Sequence, residues 1–241
     1  MTATKPYRVL KIRSHQKGAD VKRLQKALDV PVDGEYGPIT ATAAKERARD
    51  KGVARSTLLR GLTIGAQDLV LGLVKQTAAQ RKRAAKRRSK TPLRLRAFAK
   101  ARIDVGQTEQ GGNNRGWFVD KVIKANGGDL GEPWCGDAVA YWYRRAGSKI
   151  VQRGWASTIW LLAQLAPVKN PLRGHVVVYD FGTPGAKHTG LFDEWIGDGW
   201  FWAIEGNTKP GQNSSDSSGR DGVHRVKRHV SQVAGFRRVS A

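Results

Sequence analysis

The single cysteine of this 241-residue chain, Cys135, stands in Trp134-Cys135-Gly136-Asp137, at the opening of a segment patterned as a helix. Ala138, Val139 and Trp142 are apolar at i, i+1 and i+4, Arg144 and Arg145 fill the last turn, Gly147 follows, and Pro133 ends the preceding loop. At a helix N-terminus the unpaired N–H groups and the macrodipole favour a thiolate, which raises the reactive fraction at neutral pH, while Asp137 in the same turn opposes it. On position alone Cys135 is either a nucleophile or a small core residue. Its partners decide between the two.

A thiolate nucleophile needs an imidazole to hold and deliver a proton, and that imidazole needs a polar group to fix its tautomer. Of five histidines, His15, His224 and His229 lie in basic, polar surroundings and read as solvated surface. His175 opens the apolar strand Val176-Val177-Val178-Tyr179, and His188 opens Thr189-Gly190-Leu191-Phe192 after a Gly/Pro turn. A third strand, Trp200-Phe201-Trp202-Ala203-Ile204, runs into Glu205-Gly206-Asn207. A hairpin turn over Trp195 to Asp198 puts Glu205 opposite His188; a tighter turn at Asp198-Gly199 brings Asn207 nearer, as a diagonal neighbour about 7 Å away. Either register leaves His188 a polar partner.

Pro133-Trp134-Cys135-Gly136-Asp137-Ala138-Val139-Ala140-Tyr141-Trp142, then His188-Thr189-Gly190-Leu191, then Ile204-Glu205-Gly206-Asn207 resemble the three signature segments of the CHAP domain (cysteine, histidine-dependent amidohydrolase/peptidase). The resemblance covers 97–241 and agrees in order, spacing and flanking strands. It implies an α+β, papain-like fold that cleaves amide bonds of bacterial peptidoglycan. Carried over by position, Cys135 is the nucleophile, His188 the base, Glu205 the group orienting the imidazole, and Asn207 a supporting polar residue. The run Gly112-Asn113-Asn114-Arg115-Gly116 with Phe118-Val119 resembles the lead-in of phage-type members. Where family strands carry an aspartate, this chain has His175. Some members bind calcium through an acidic loop before the cysteine, but 111–120 holds Asp120 as its one acid, so no calcium, metal or cofactor requirement is expected.

Eight tryptophans bear on the cleft. Trp134, beside the nucleophile, is a candidate substrate-binding residue; Trp155, Trp160 and Trp202 either line a groove or fill the core. The Gly/Ser-rich stretch 206–222 is expected to form a mobile loop at the cleft edge.

Upstream, Val21, Leu24 and Leu28 form one helix face with Asp20 at its start, the Asp33-Gly34-Glu35-Tyr36-Gly37-Pro38 turn follows, and Thr40 is expected to cap a second helix to about Arg49. The pairing of V-K-x-L-Q-x-x-L with D-G-x-x-G-P-x-T is similar to the three-helix peptidoglycan-binding module and covers 5–75, although 56–74 fits that pattern poorly. The resulting organisation is a small all-α domain over 5–75, a basic linker or solvated helix over 76–96, and a catalytic domain over 97–241, an arrangement consistent with the length of the chain.

The charge of +23 is uneven. Residues 1–80 carry a net +8, 81–100 a net +10 with no acid, and 101–241 a net +5. Such charge suits a polyanion. No zinc-finger spacing or RNA-reading aromatic motif is present, so specific nucleic-acid binding is not expected, and the anionic polymers of a cell wall are the favoured partner. Residues 1–13 contain no export-like apolar run, and 62–74 is too short and too polar to span a bilayer, so membrane insertion is not expected. For a chain with the CHAP resemblance, these features imply by family habit a phage endolysin, made in the host cytoplasm and acting on the wall after release, and a monomer is expected. A phage-particle protein with an inactive CHAP-like domain, and a zinc amidase built on His175, His188 and Cys135, are the competing readings.

Overall fold

The computed structural model describes residues 8–11, 16–30, 32–59, 61–149, 165–182, 187–210 and 220–239. Two compact units divide between Pro92 and Leu93. The basic stretch therefore does not stand alone as a linker: most of it belongs to the first unit, and 93–96 open the first helix of the second.

The first unit contains α1 (Ala19–Leu28), α2 (Pro38–Asp50), α3 (Ile64–Leu71) and α4 (Ala78–Lys90). Val21, Leu24 and Leu28 are buried, as their spacing requires. Gln25, also buried, pins the Asp-Gly turn: its Nε2 lies 2.6 Å from Asp33 Oδ1 and 3.0 Å from Thr40 Oγ1, and its Oε1 accepts from Gly34 N at 2.8 Å. Thr40 is thus not the cap of α2. Gly37 is the cap and Pro38 occupies the first turn, where a missing N–H costs nothing, so Thr40 turns inward instead. α4 begins with a reciprocal Thr77–Gln80 capping box and buries no residue. Arg83 reaches the carbonyl of Gly52 at 3.0 Å, and Arg87 pairs with Asp50 and, at 2.7 Å, with Glu46. Polar contacts, not an apolar face, attach this helix to the unit.

The second unit combines α5 (Leu93–Asp104), α6 (Trp117–Asn126) and α7 (Cys135–Arg145) with β1 (Ala166–Val168), β2 (Val176–Tyr179), β3 (His188–Gly197), β4 (Trp200–Thr208), β5 (Gly222–His229) and β6 (Val233–Arg238). The strands form one antiparallel sheet in the order β1-β6-β2-β3-β4-β5, which makes the unit α+β. Every residue of α7 from Cys135 to Tyr143 is buried. Trp134, Ala138, Val139 and Trp142 share one core with Val176, Val178, Leu191 and Ile204 of the sheet, and Trp142 Nε1 donates to the buried Asp104 at 2.9 Å. The opposite face carries Val177, Tyr179, Phe192, Phe201 and Ala203, with Phe236 packed against them. Phe201 and Phe236 are separated by three strand spacings, about 14 Å in a flat sheet, yet their ring centroids lie 5.7 Å apart. That face is strongly concave.

The β3–β4 hairpin differs from both registers considered above. The tight turn at Asp198-Gly199 is present, with Gly197 opposite Trp200, but two irregularities each add one residue to β3, so that Glu205 faces Gly190. A regular ladder from the same turn would set Glu205 against Phe192. One extra residue, Asp193, is held by Arg173 at 2.6 Å and Arg225 at 2.7 Å. The bulges carry Glu205 two positions along β3, to the diagonal neighbour of His188.

Where α7 meets β4 the contact is backbone-close: a Cβ on Gly206 would fall 2.6 Å from Ala138 Cβ and 2.7 Å from Trp134 Cζ3. Both neighbours are fully buried and have nowhere to move. Gly206→Val is expected to destabilise the fold by about 1–3 kcal/mol through overpacking, seen as a lower urea midpoint with an unchanged slope.

Candidate active site

Cys135 is the first residue of α7, His188 the first of β3, and Glu205 lies near the end of β4. The three are distant in sequence and meet in space. His188 Nε2 lies 2.9 Å from Glu205 Oε2. The Cys135 side chain comes close enough to the same imidazole to act on its charge. Gly190 makes the Glu205 contact possible, since a Cβ there would fall 2.5 Å from Glu205 Cγ. Cys135 is 2 % exposed, His188 8 % and Glu205 not at all, so the charges interact with little screening by water.

Glu205 has a second partner that the sequence did not single out. Arg228 on β5 donates from Nε to Oε1 at 3.0 Å and from Nη2 to Oε2 at 2.6 Å, and Nη2 also reaches Thr208 Oγ1 at 3.2 Å. The guanidinium lies over the rings of Tyr179 and Phe181, at 5.4 and 5.5 Å. Those rings in turn stack on the His188 imidazole, at 5.8 and 6.1 Å. Arg228 sits in a basic strand beside Arg225 and Lys227, and no sequence signal separates the three. The cross-strand placement does: Arg228 pairs with Phe201 and projects on the concave side with Glu205, whereas Arg225 and Lys227 lie over Trp202 and Trp200.

The electrostatics follow from this row of alternating charge. Burial pulls the His188 pKa down, but Cys135 and then Glu205 outweigh it and raise the imidazole to about 10. Burial pushes Glu205 up, and His188 with Arg228 overcome that, holding the carboxyl at about 2. Burial above all, with the Glu205 charge added, drives the Tyr179 phenol well above its ordinary range and keeps it neutral. An imidazolium that feels both a sulfur and a carboxylate is the ground state needed for attack by a thiolate, with a proton in hand for the leaving group.

Asn207 does not touch this row. Its Oδ1 accepts from Trp134 N at 3.2 Å, and its Nδ2 lies 3.2 Å from Glu109 Oε1 and 2.9 Å from Asn114 Oδ1. Trp134 Nε1 donates to the same Glu109 oxygen at 3.0 Å. Asn207 and Asn114 both adopt left-handed backbone, at φ 55 and 54, a region asparagine tolerates well. The effect is to brace the residue before Cys135, so Asn207 positions the helix start. Glu109 was not anticipated; Asn114 had appeared only in the lead-in run.

Several sequence expectations change. Trp134 is fully buried, edge-on to Phe118 at 6.2 Å and bonded to Glu109, so its ring is not available to a substrate. His224 is 2 % exposed rather than solvated, because the alternation of β5 turns it inward opposite Glu205. His175 precedes β2 at the end remote from His188, about 13 Å along the strand, with Nδ1 accepting from Leu172 N at 3.1 Å. A zinc site joining His175, His188 and Cys135 is therefore excluded by geometry. Trp202 is half-buried under Arg225. His15, Trp155, Trp160 and the core of the Gly/Ser-rich stretch, 211–219, lie outside the described residues.

No protein-family model matches this chain, and no curated protein matches it significantly. Among the described residues no helix is long and apolar enough to cross a membrane.

The two shifts set opposite pH limits on stability. Glu205 is depressed, so its contribution is complete above 4.5 and lost as pH falls towards about 2; His188 is raised, so its contribution is complete below 6.5 and lost as pH rises through about 10. The His188 ring is expected to stay protonated through neutral pH in a 15N NMR titration, and Cys135→Ala, which removes the first of the two raising influences, to lower its midpoint.

Proposed function

We propose that this chain is a cysteine-dependent amide hydrolase of bacterial peptidoglycan, with a CHAP-type, papain-like catalytic unit and a small helical unit that engages the wall, of the kind found in phage endolysins. The observation that carries this reading is the 2.9 Å His188–Glu205 contact, with Cys135 at a helix N-terminus and close enough to the imidazole to act on its charge. The three signature segments fall on those elements.

In the proposed reaction the Cys135 thiolate attacks the carbonyl carbon of a wall amide and forms a C–S bond. The oxyanion that develops is stabilised by the first N–H groups of α7, which have no partner within the helix. His188 gives its proton to the amine nitrogen as the C–N bond breaks, leaving a thioester. The now neutral imidazole takes a proton from water, whose oxygen attacks the thioester; the acid departs and the thiolate–imidazolium pair is restored. Glu205 remains charged throughout and holds the ring in plane. Cys135→Ala is expected to abolish release of new amino groups from purified peptidoglycan while leaving sedimentation with the wall intact; a variant that still releases them overturns the assignment.

The proposed route to the wall is electrostatic. Arg83 and Arg87 attach α4 to its own unit, while Lys82, Lys86 and Lys90 repeat every turn on the exposed surface. Exchanging these three lysines for glutamine is expected to weaken wall binding at low salt and flatten its salt dependence, with the melting temperature unchanged. Unaltered binding would show that the row is only solvated surface.

A further inference from the structure

We infer that Arg228 is a positioning residue of the catalytic row: by gripping both oxygens of Glu205 it keeps that carboxylate anionic and oriented, so that the transferable proton stays on His188. The inference deepens the proposed hydrolase reading and rests on it for its kinetic part.

A buried carboxylate against an imidazole has two competing forms, an ion pair or a neutral acid beside a neutral ring. Loss of hydration favours the neutral pair, because it removes two charges from a low-dielectric site. In that form the acid proton sits on Glu205, where it cannot reach the leaving amine, and the ring no longer stabilises a thiolate. A further positive charge on the carboxylate reverses the preference. The groups facing Glu205 are His188 from β3, Tyr179 from β2, and Arg228 and the cross-strand His224 from β5, with Cys135 of α7 acting through His188. Of these, Arg228 alone carries a charge that does not titrate in the working range.

Geometry makes the same point. Oε2 is shared between His188 Nε2 and Arg228 Nη2, and Oε1 takes Arg228 Nε, so the carboxylate plane is set by a two-point fork. Thr208 Oγ1 fixes Nη2 from the side, and the Tyr179 and Phe181 rings lie against both the guanidinium and the imidazole. A lysine could supply the charge but not the fork.

The test uses the full chain with 15N-labelled histidine, comparing native protein, Arg228→Met, Arg228→Lys and the control Lys227→Met, whose ammonium lies over Trp200 away from the row. In native protein the His188 ring signals are expected to show no carboxyl inflection at or above the ordinary 4.5. Arg228→Met should introduce one there, and its kcat for peptidoglycan hydrolysis should fall by about ten- to a hundredfold, with a smaller change in KM, as part of the ~10²–10⁴ that positioned proton transfer supplies. Arg228→Lys should remove most of the new inflection yet keep kcat at least about fivefold below native. Lys227→Met should match native in both readouts. A folded Arg228→Met without the inflection, or with kcat within about twofold of native, overturns the inference. If Arg228→Met does not fold, native kcat in Arg228→Lys overturns it equally. The titration needs no turnover: if the inflection appears on Arg228→Met but native protein releases no amino groups from the wall, the electrostatic role of Arg228 stands and the hydrolase reading falls.

Discussion

The second unit is organised around a carboxylate that is charged although no part of it meets solvent. Glu205 is stabilised by His188 on one side and Arg228 on the other, and each of these requires a separate element to arrive at the same point. β4 brings the carboxylate, β3 the imidazole, β5 the guanidinium. The concave curl of the sheet lets side chains three strands apart come together, which is how Arg228 covers the ring of Tyr179 on β2. Two added residues in β3 slide the ladder until Glu205 faces Gly190, where no side chain is in its way.

The cysteine depends on a different kind of support. α7 is both the central core helix of its unit and the carrier of the thiol, so core contacts must place its start. Gly206 allows the helix to lie directly on β4, and Asn207, one residue on, holds the backbone of Trp134 while Glu109 holds its indole. Residues 205, 206 and 207 thus serve three purposes in succession: a charge for the imidazole, a gap for the helix and a clamp for its first turn. This is a physical reason for the compactness of the Glu-Gly-Asn segment, independent of any family resemblance.

Much of the site was legible in the chain because it lies in local pattern. The α7 helix follows from its apolar spacing, and the His188 and Trp200 strands from alternation between turns. Failures came where a local rule met a tertiary neighbour. Thr40 was read as a cap because its residue type suits one, but Pro38 takes the first turn and Gln25 claims the hydroxyl. His224 was read as solvated from its basic surroundings, although strand alternation with Arg225 outside places it inside. Trp134 was read as a substrate contact from its place beside Cys135, whereas the indole points into the core.

By itself the sequence determined which chemistry was on offer, a lone thiol at a helix start, two histidines at strand starts and an acid at a strand end, because residue type and short-range periodicity are local properties. It also determined that the positive charge concentrates near residues 81–100. The tertiary structure decided which groups meet. The diagonal pairing of Glu205 with His188, the choice of Arg228 over Arg225 and Lys227, the remoteness of His175 and the burial of Trp134 all depend on register shifts and sheet curvature. Those quantities arise from the packing of the whole sheet against α7, and no short window of residues contains them.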